Sequence, residues 1–221
     1  MRVERLLLVP GIREKISRAR FYYFMRFRGL VDARDLSFVK RHEYSRSHFS
    51  TYSSIRERVD FLVSMLGMTS RLNEDSKLLV LGPRYESEIF GYIGLGFKKK
   101  NIQALDTFSY SKLITPGNLH NMPYGSEIFD IIVAGWTLAY SDSLEAALLE
   151  IHRVLKSNGI LIMTFDLREG EGFNTLSEVE IANYDGSLLQ LITTYFKVRN
   201  WFIGKTSWTK QNICCLAIEK I

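Results

Sequence analysis

One stretch of the sequence, residues 129–166, constrains the fold more than any other. It begins with "FDIIVAGW" and closes with "GILIMTFD", two apolar runs rich in β-branched residues that are typical of buried strands. Between them, "SDSLEAALLEIHRVLKSNG" has the apolar spacing of a helix, with Asp142 and Glu145 as a capping-box-like start and Gly159 just past its end. The apolar face of this helix consists of Leu144, Leu148, Ile151 and Leu155. Strand, helix and strand in direct succession predict an α/β fold.

Further apolar runs extend this pattern along the chain. "KLLVLG" predicts a strand that ends at Gly82 and is followed by a helix from about Ser87 to Gly96, and "KNIQALD" predicts a strand that ends on Asp106. Later, a helix around Ser187–Tyr195 precedes two strands, "KVRNWFIG" and "NICCLAIEK", whose short connection favours an antiparallel hairpin at the sheet edge. The chain therefore predicts a doubly wound α/β sheet with an antiparallel last strand.

The N-terminal part differs from the rest of the chain in its charge. Residues 1–60 hold 14 Lys and Arg against 7 Asp and Glu, a net charge of +7, whereas residues 61–221 hold 15 against 17, a net charge of −2. "SSIRERVDFLVSMLG" predicts an amphipathic helix that leads into the sheet. We therefore predict a basic helical extension or lid at residues 1–75 and an α/β domain at residues 76–221.

Composition narrows the class of protein. An apolar content of 46% over 221 residues suffices for one buried core. The sequence has no uncharged apolar run of about eighteen residues, and its start, "MRVERLLLVPG", lacks a small-residue cleavage site, so we expect a soluble, cytoplasmic protein without a signal peptide. Cys214 and Cys215 are adjacent in a strand-like run and would point to opposite faces, so neither a disulfide nor a metal site is expected.

The order of features from residue 117 to residue 165 resembles that of the class I S-adenosylmethionine-dependent methyltransferases, type 11. The resemblance is carried by "GNLHNMPYGSEIFDIIVAGWTLAYSDSLEAALLEIHRVLKSNGILIMTF", with its Pro-aromatic pair, Phe-Asp strand start and "RVLKSNG" helix end. It covers about Ser76 to Ile221. It implies a Rossmann-like sheet of about seven strands with an antiparallel last strand, and S-adenosylmethionine as the cofactor.

The resemblance also assigns cofactor contacts to individual positions. Asp106, at the end of the second strand, would accept hydrogen bonds from the ribose hydroxyls. Thr107 and Phe108 would lie beside the adenine, Asn118 would receive its amino group, and the Leu119 backbone N–H would bind its ring. Gly135 and Trp136 follow the fourth strand, at the sheet edge where open α/β folds bind ligands.

The first loop departs from the family's glycine-rich pattern. Gly82 is present with Pro83 beside it, but Arg84 and Glu86 stand where the family has further glycines. Loss of glycines should change the turn or push the methionine end of the cofactor outward. We expect the Arg84 guanidinium to compensate by binding the cofactor's carboxylate, and Glu86 to take its α-ammonium.

Methyl transfer needs little from the protein beyond positioning, and a base only where the acceptor is a hydroxyl. The candidates for a catalytic role are His48, His120 and Tyr140. His42 lies in the same basic segment as His48, and His152 is better interpreted as a partly buried helix residue. Each of the three candidates has a packing or loop role as its alternative.

The basic N-terminus, in which Arg alternates with Phe, Tyr and Met, has three interpretations. It is a helical cap packed on the domain, a surface that contacts an anionic membrane, or a nucleic-acid site. Nucleic acid is disfavoured because acidic residues are mixed in and no RNA-binding motif is present.

The expected activity is methyl transfer to a small-molecule, glycan or lipid-linked acceptor, at oxygen. Two alternatives remain open. One is a non-catalytic scaffold or partner protein with the same fold, and the other is an RNA methyltransferase.

Overall fold

The computed structural model describes residues 3–33, 46–53, 55–69, 73–141, 143–167, 192–205 and 212–221. The chain divides into two compact units, and the main division falls between Asn118 and Leu119. This division differs from the predicted boundary near residue 75, because the N-terminal helices belong to the same unit as the strands up to Asn118. The extension at residues 1–75 as a separate domain stays a prediction.

The helices of the first unit pack around one buried helix. They are α1 (Pro10–Phe27), α2 (Arg56–Gly67) and α3 (Glu86–Leu95), and a 3-10 turn at Val3–Leu8 precedes α1. α3 contacts α1, α2 and the 3-10 turn. Two of its glycines allow this close approach: a Cβ on Gly91 would lie 2.5 Å from Val63 Cγ2, and one on Gly94 would lie 2.9 Å from the Leu8 nitrogen.

The first unit contributes three described strands to the main sheet. They are β2 (Leu78–Leu81), β3 (Ile102–Asp106) and β5 (Thr115–Pro116), in the order β5-β3-β2, with both pairs parallel. All four residues of β2 are buried, as expected of a strand covered on both faces. A separate antiparallel pair joins β1 (Val31–Asp32) to β4 (Phe108–Ser109).

The second unit contains the other four strands of the seven-stranded sheet. They are β6 (Phe129–Gly135), β7 (Leu155–Leu167), β8 (Phe196–Lys205) and β9 (Asn212–Lys220), in the order β6-β7-β9-β8. β6 and β7 are parallel and are joined through α4 (Leu144–Val154), whereas β9 is antiparallel to both β7 and β8. The predicted fold class, with an antiparallel last strand and a closing hairpin, is confirmed.

The predicted helix bounds at α4 were wrong at both ends. The side chain of Ser143 caps the helix by accepting from the Ala146 N–H at 3.2 Å; Asp142, the predicted cap, lies outside the described residues. The helix ends at Val154 rather than near Gly159, because Leu155 already pairs with Phe129 in the sheet. Lys220 Nζ stabilises this early end by donating to the carbonyls of His152 and Leu155, each at 2.8 Å.

The remaining elements follow the sequence pattern closely. The helix expected from Ser87 to Gly96 runs from Glu86 to Leu95, and Gly96 ends it with a φ of +116°. Of the helix predicted around Ser187–Tyr195, residues 192–195 are helical and the rest lies outside the described residues. Cys215 is fully buried. In the part of the chain that the structure describes, no helix is long and apolar enough to cross a membrane.

Candidate functional site

The first loop keeps a glycine-type turn although it holds only one of the expected glycines. Gly82 follows β2 with a φ of +63°, and its N–H donates to the Leu105 carbonyl at 2.8 Å. Arg84 has a φ of +57°, in the left-handed region that L residues other than Asn and Asp rarely adopt. Arg84 thus adopts a backbone conformation that glycine takes without strain.

Asp106 is bound directly to this loop. Its Oδ2 accepts from the Arg84 N–H at 2.9 Å, and its Oδ1 lies 3.5 Å from the Phe108 nitrogen. Burial raises the pKa of the Asp106 carboxyl, while the two backbone N–H donors act in the opposite direction. The side chain is half-buried, so a carboxylate with remaining acceptor capacity lies at the carboxyl end of β3.

Asn118 is held near the same strand end. The Gly117 N–H donates to the Asp106 carbonyl at 2.8 Å, which ties the loop after β5 to the end of β3. Only glycine fits at position 117 without a shift, because a Cβ there would lie 2.6 Å from Leu105 Cδ1. Asn118 follows directly and is 6% exposed. The backbone of the residue before Asn118 is therefore attached to the end of β3, at Asp106.

Glu86 is engaged by the protein itself. It is the first residue of α3 and fully buried, and its two oxygens accept from Arg20 Nε and Nη2, the latter at 2.9 Å. Ser111 Oγ donates to the same carboxylate, and the Glu86 N–H donates to the Tyr110 hydroxyl at 3.0 Å. The negative charge expected to take an ammonium group is thus already paired with a guanidinium from α1.

Phe108 is also less accessible than expected. Its ring is 1% exposed and belongs to a buried aromatic cluster. The members of this aromatic cluster are Phe21, Phe49, Tyr85, Phe108 and Tyr110. Phe49 covers the Phe108 ring at a centroid distance of 5.9 Å, and the Arg46 guanidinium lies at the same distance from it. The neighbouring Thr107 is half-buried, and its carbonyl accepts from the Ala33 N–H at 2.8 Å.

Two residues that sequence reasoning missed hold the first loop from the N-terminal side. Arg58 Nη2, from α2, donates to the Gly82 carbonyl at 2.9 Å and lies 3.8 Å from Glu88 Oε2. Tyr85, fully buried, donates its hydroxyl to the His48 carbonyl at 3.0 Å. A signal for Tyr85 existed, since a large aromatic residue inside a polar loop is typical of a packing anchor.

The candidates for a catalytic role lie in different surroundings. His48, in the first unit, is half-buried. In the second unit, His120 Nε2 is 2.6 Å from Ser141 Oγ, and Tyr140 is a half-buried residue of the 3-10 turn Leu138–Tyr140. His42 lies outside the described residues.

His152 packs against the rings of Tyr195 and Phe196, with centroid distances of 5.6 and 5.5 Å. Burial and the nearby Lys220 lower the pKa of the His152 imidazole. These contacts agree with its interpretation as a partly buried helix residue.

The turn after β6 also has an unusual backbone. Trp136 has a φ of +55°, and its N–H lies within hydrogen-bond distance of both the carbonyl and the hydroxyl of Thr164, at 3.0 and 3.1 Å. Gly135 is buried and pairs with Thr164 in the β6–β7 register. Leu119 is half-buried at the start of the second unit. The cofactor contacts of these three positions stay predictions.

Comparison with known proteins bears on the fold and on part of the sequence. Residues 91–163 match the methyltransferase domain family Methyltransf_11. No curated protein sequence matches the chain. The PH0226 protein from Pyrococcus horikoshii OT3 superposes with a TM-score of 0.58 at 16% identity, over 82% of this chain and all of its own. This chain has the class I methyltransferase fold.

Two further solved structures show the range of proteins with this methyltransferase fold. The Burkholderia thailandensis 1,6-didemethyltoxoflavin-N1-methyltransferase, solved with 1,6-didemethyltoxoflavin and S-adenosylhomocysteine bound, has 13% identity and a TM-score of 0.55, covering 86% of this chain and 94% of its own. The (4+2)-cyclase SpnF has 16% identity and a TM-score of 0.54, covering 75% and 80%.

The family match confirms the predicted resemblance to the S-adenosylmethionine-dependent methyltransferases. The matched range begins inside α3, so the altered loop from Gly82 to Glu86 lies before it. The match to the methyltransferase family is thus carried by residues outside this loop, and it says nothing about the function of the loop.

Proposed function

We propose that this chain binds S-adenosylmethionine at the carboxyl ends of β2 and β3 and transfers a methyl group to a small molecule. The observation that carries the proposal is the hydrogen bond between Asp106 Oδ2 and the Arg84 N–H, which joins an acceptor carboxylate to a left-handed turn. This is the arrangement that a nucleoside cofactor requires, because the carboxylate accepts from ribose hydroxyls while the turn lets the backbone approach the ligand.

The residues of the first unit fit this cofactor at its nucleoside end. Asp106 would hold the ribose and Asn118 the adenine amino group, through the side-chain oxygen of the amide. Arg84 would bind the cofactor's carboxylate, for which a planar guanidinium is well suited. Because Glu86 is paired with Arg20, we assign it to holding α1 against α3 and no longer to the α-ammonium group.

The bound sulfonium supplies an activated methyl group, so this chain has to position the acceptor and exclude water. We propose a small-molecule or glycan-type acceptor with oxygen as the attacking atom. His48, His120 and Tyr140 are the residues from which a base for a hydroxyl acceptor would come. The similarity to the 1,6-didemethyltoxoflavin-N1-methyltransferase, which was solved with the small molecule 1,6-didemethyltoxoflavin bound, supports a small-molecule acceptor.

A second candidate function is a non-catalytic protein with this methyltransferase fold. It is favoured because two residues expected to contact the cofactor are occupied by the protein itself. Glu86 is fully buried in an ion pair, and Phe108 is covered by Phe49 and Arg46. The similarity to SpnF, a (4+2)-cyclase, is a second reason to keep a function other than methyl transfer in view.

Calorimetric titration with S-adenosylmethionine and with S-adenosylhomocysteine tests the first proposal against the second. We expect micromolar binding that Asp106→Asn weakens by about 100-fold, since two charge-assisted hydrogen bonds are lost. Asp75→Asn, at an exposed carboxylate on the surface, is the matched control and should bind as the unaltered protein does. Absence of binding to either ligand, or equal binding by Asp106→Asn and Asp75→Asn, would reject the cofactor site and favour the non-catalytic function.

A further inference from the structure

Exposed large apolar side chains are concentrated at the N-terminus. Among the described residues, nine of the twelve such side chains lie between Val3 and Phe27. On α1, four of them are Ile12, Ile16, Tyr23 and Phe27, which are 38%, 38%, 59% and 73% exposed. We call these four residues the α1 stripe. Their spacing of four, seven and four places them within about 60° of one another around the helix, so they form one continuous apolar strip.

The side of α1 that lies about 110° around the helix from the α1 stripe attaches the helix to the first unit. Arg13, Ser17 and Phe21 are buried there, with exposures of 1%, 0% and 1%. Arg13 is paired with Asp60 of α2, and Arg20 with Glu86 of α3. These contacts fix the rotation of α1 about its own axis and direct the α1 stripe outward. The stripe is therefore not needed for the core of the unit, and its exposure calls for another explanation.

Cationic side chains border the α1 stripe on one side and at both ends. Lys15 and Arg26 are exposed along that side, Arg5 and Arg28 are exposed beyond the two ends, and Arg18 is exposed on the far side of the helix. The acidic residues nearby are fewer: Glu4 is exposed, and Glu14 accepts a hydrogen bond from the Tyr52 hydroxyl. An apolar strip with a positive border is the pattern of a helix that lies in the plane of an anionic membrane surface.

We propose that α1 docks on an anionic lipid surface through the α1 stripe. The helix has 18 residues, about 27 Å, and would lie parallel to the surface with Tyr23 and Phe27 among the headgroups. The rings of these two residues already touch, with centroids 4.8 Å apart. Lys15 and Arg26 would contact lipid phosphates.

Two other occupants fit the stripe less well. Nucleic acid would use the cationic side chains but would leave Ile12 and Ile16 in water. A second copy of the chain, packed stripe to stripe as an antiparallel pair about a two-fold axis, would bring Lys15 and Arg26 of the two copies to the same side of the contact, and like charges there repel.

Vesicle co-sedimentation with the full chain tests the docking. We expect binding to vesicles of phosphatidylcholine mixed with phosphatidylglycerol, and little binding to phosphatidylcholine alone. Lys15→Gln with Arg26→Gln should weaken binding by at least about ten-fold, since each cation contributes about five-fold near an anionic surface. Tyr23→Ser with Phe27→Ser should abolish it. Lys99→Gln with Lys100→Gln, and Met68→Ser with Leu149→Ser, alter equally exposed residues elsewhere and should leave binding unchanged.

A spectroscopic readout identifies the contact. Phe27→Trp adds an indole at the end of the stripe, and lipids brominated on their acyl chains should quench the emission that this indole contributes. Lack of binding by the unaltered protein at low ionic strength, or equal loss in the stripe variants and their controls, would overturn the proposal. Self-association that Tyr23→Ser with Phe27→Ser removes, without vesicle binding, would also overturn it in favour of a second copy. None of these measurements depends on cofactor binding.

Discussion

Arg84 is the residue at which this chain departs furthest from a glycine-rich nucleotide loop. A left-handed φ costs a residue with a Cβ about 1 kcal/mol, and the hydrogen bond from its N–H to Asp106 helps to hold it there. The turn at this position therefore has a left-handed conformation, and Arg84 adds a guanidinium to it. Backbone conformation and side-chain function at this position can be separated experimentally.

We predict that Arg84→Gly stabilises the protein by about 0.5 to 1 kcal/mol and weakens S-adenosylmethionine binding. The stabilisation follows from relief of the left-handed strain, and the loss of affinity from removal of the guanidinium. Arg84→Ala should weaken binding equally without the gain in stability. Denaturant unfolding and calorimetry measure the two effects. Unchanged affinity in both variants would show that Arg84 does not hold the cofactor's carboxylate.

Glu88, two residues after Glu86, is fully buried behind the same loop. Tyr92 donates its hydroxyl to Glu88 Oε1 at 3.0 Å, and Arg58 lies 3.8 Å from Oε2. Burial raises the pKa of the Glu88 carboxyl, against the opposing effects of these two neighbours. The folded protein therefore retains a proton on Glu88 at pH values where the unfolded chain has released it.

This raised pKa predicts a specific pH dependence of stability. The contribution of Glu88 is fully present below the ordinary carboxyl range and is lost as the pH rises through the raised value, because the ionised form is disfavoured in the fold. The free energy of unfolding of the unaltered protein should accordingly fall with pH relative to that of Glu88→Gln, which carries no titrating group. Urea titrations at several pH values measure the difference, with the exposed Glu145→Gln as control. A constant difference across this range would contradict the prediction.

At the scale of elements, the ion pair between Arg20 and Glu86 joins α1 to α3. The Glu86 side chain is fully buried whereas that of Arg20 is 39% exposed, so the carboxylate depends on the guanidinium for its charge balance. The hydrogen bond to Glu86 raises the pKa of Arg20. An N-terminal helix that was expected to serve as a lid is thus also part of the support of the first loop.

We predict that Arg20→Ala lowers the free energy of unfolding by about 3 kcal/mol, because it leaves a buried carboxylate without its cation. Arg18→Ala, on the exposed side of the same helix, should change it by less than about 0.5 kcal/mol. Chemical denaturation of the two variants provides the comparison. Equal effects would mean that the pair adds nothing beyond an ordinary surface contact.

The elements that sequence analysis predicted best are those with local signals. β2 is an uninterrupted apolar run, β3, β6 and β9 are mostly apolar, and Gly96 ends α3 as a C-terminal glycine should. The end of α4 was predicted too late, because a strand pairing with Phe129 and a lysine 65 residues away decided it. Contacts with other segments help to decide where a helix ends, and contacts with residues distant in the chain leave no local pattern in the sequence.

The residues of the candidate site likewise differ in whether the sequence holds a local signal for them. Asp106 was proposed from its place at the end of a strand and Asn118 from the family resemblance, and their cofactor contacts stay predictions. Arg58 and Arg20 were missed, since each reaches its partner across 24 and 66 residues respectively. Because Glu86 is paired with Arg20, a partner 66 residues away, its expected role as a cofactor ligand is reassigned to holding α1 against α3.

At the scale of the whole molecule, the structure shows where several cations of residues 1–60 lie. Part of it is internal: Arg13 and Arg20 serve ion pairs within the first unit, and Arg58 binds the Gly82 carbonyl. The outward cations of α1 and its flanks are exposed and can meet a partner. This distribution disfavours an RNA site, which needs an extended cationic track with stacking platforms.

We therefore predict that the protein is not retained on immobilised single-stranded RNA at moderate salt. Weak retention at low salt should vanish with a shallow salt dependence, because few cations contact phosphate. Elution from the RNA column across a salt gradient measures this. Retention that persists at moderate salt and is lost in Lys15→Gln with Arg26→Gln would revive the RNA methyltransferase alternative.

The strand order of the second unit has a consequence for how the protein is made. β9 is antiparallel to β7 on one side and to β8 on the other, yet it leaves the ribosome after both. Until residues 212–220 emerge, β7 presents an unpaired edge to solvent, and β8 has no neighbouring strand to pair with. The interval between translation of β7 and translation of β9 is thus the period in which a nascent chain would most need a chaperone.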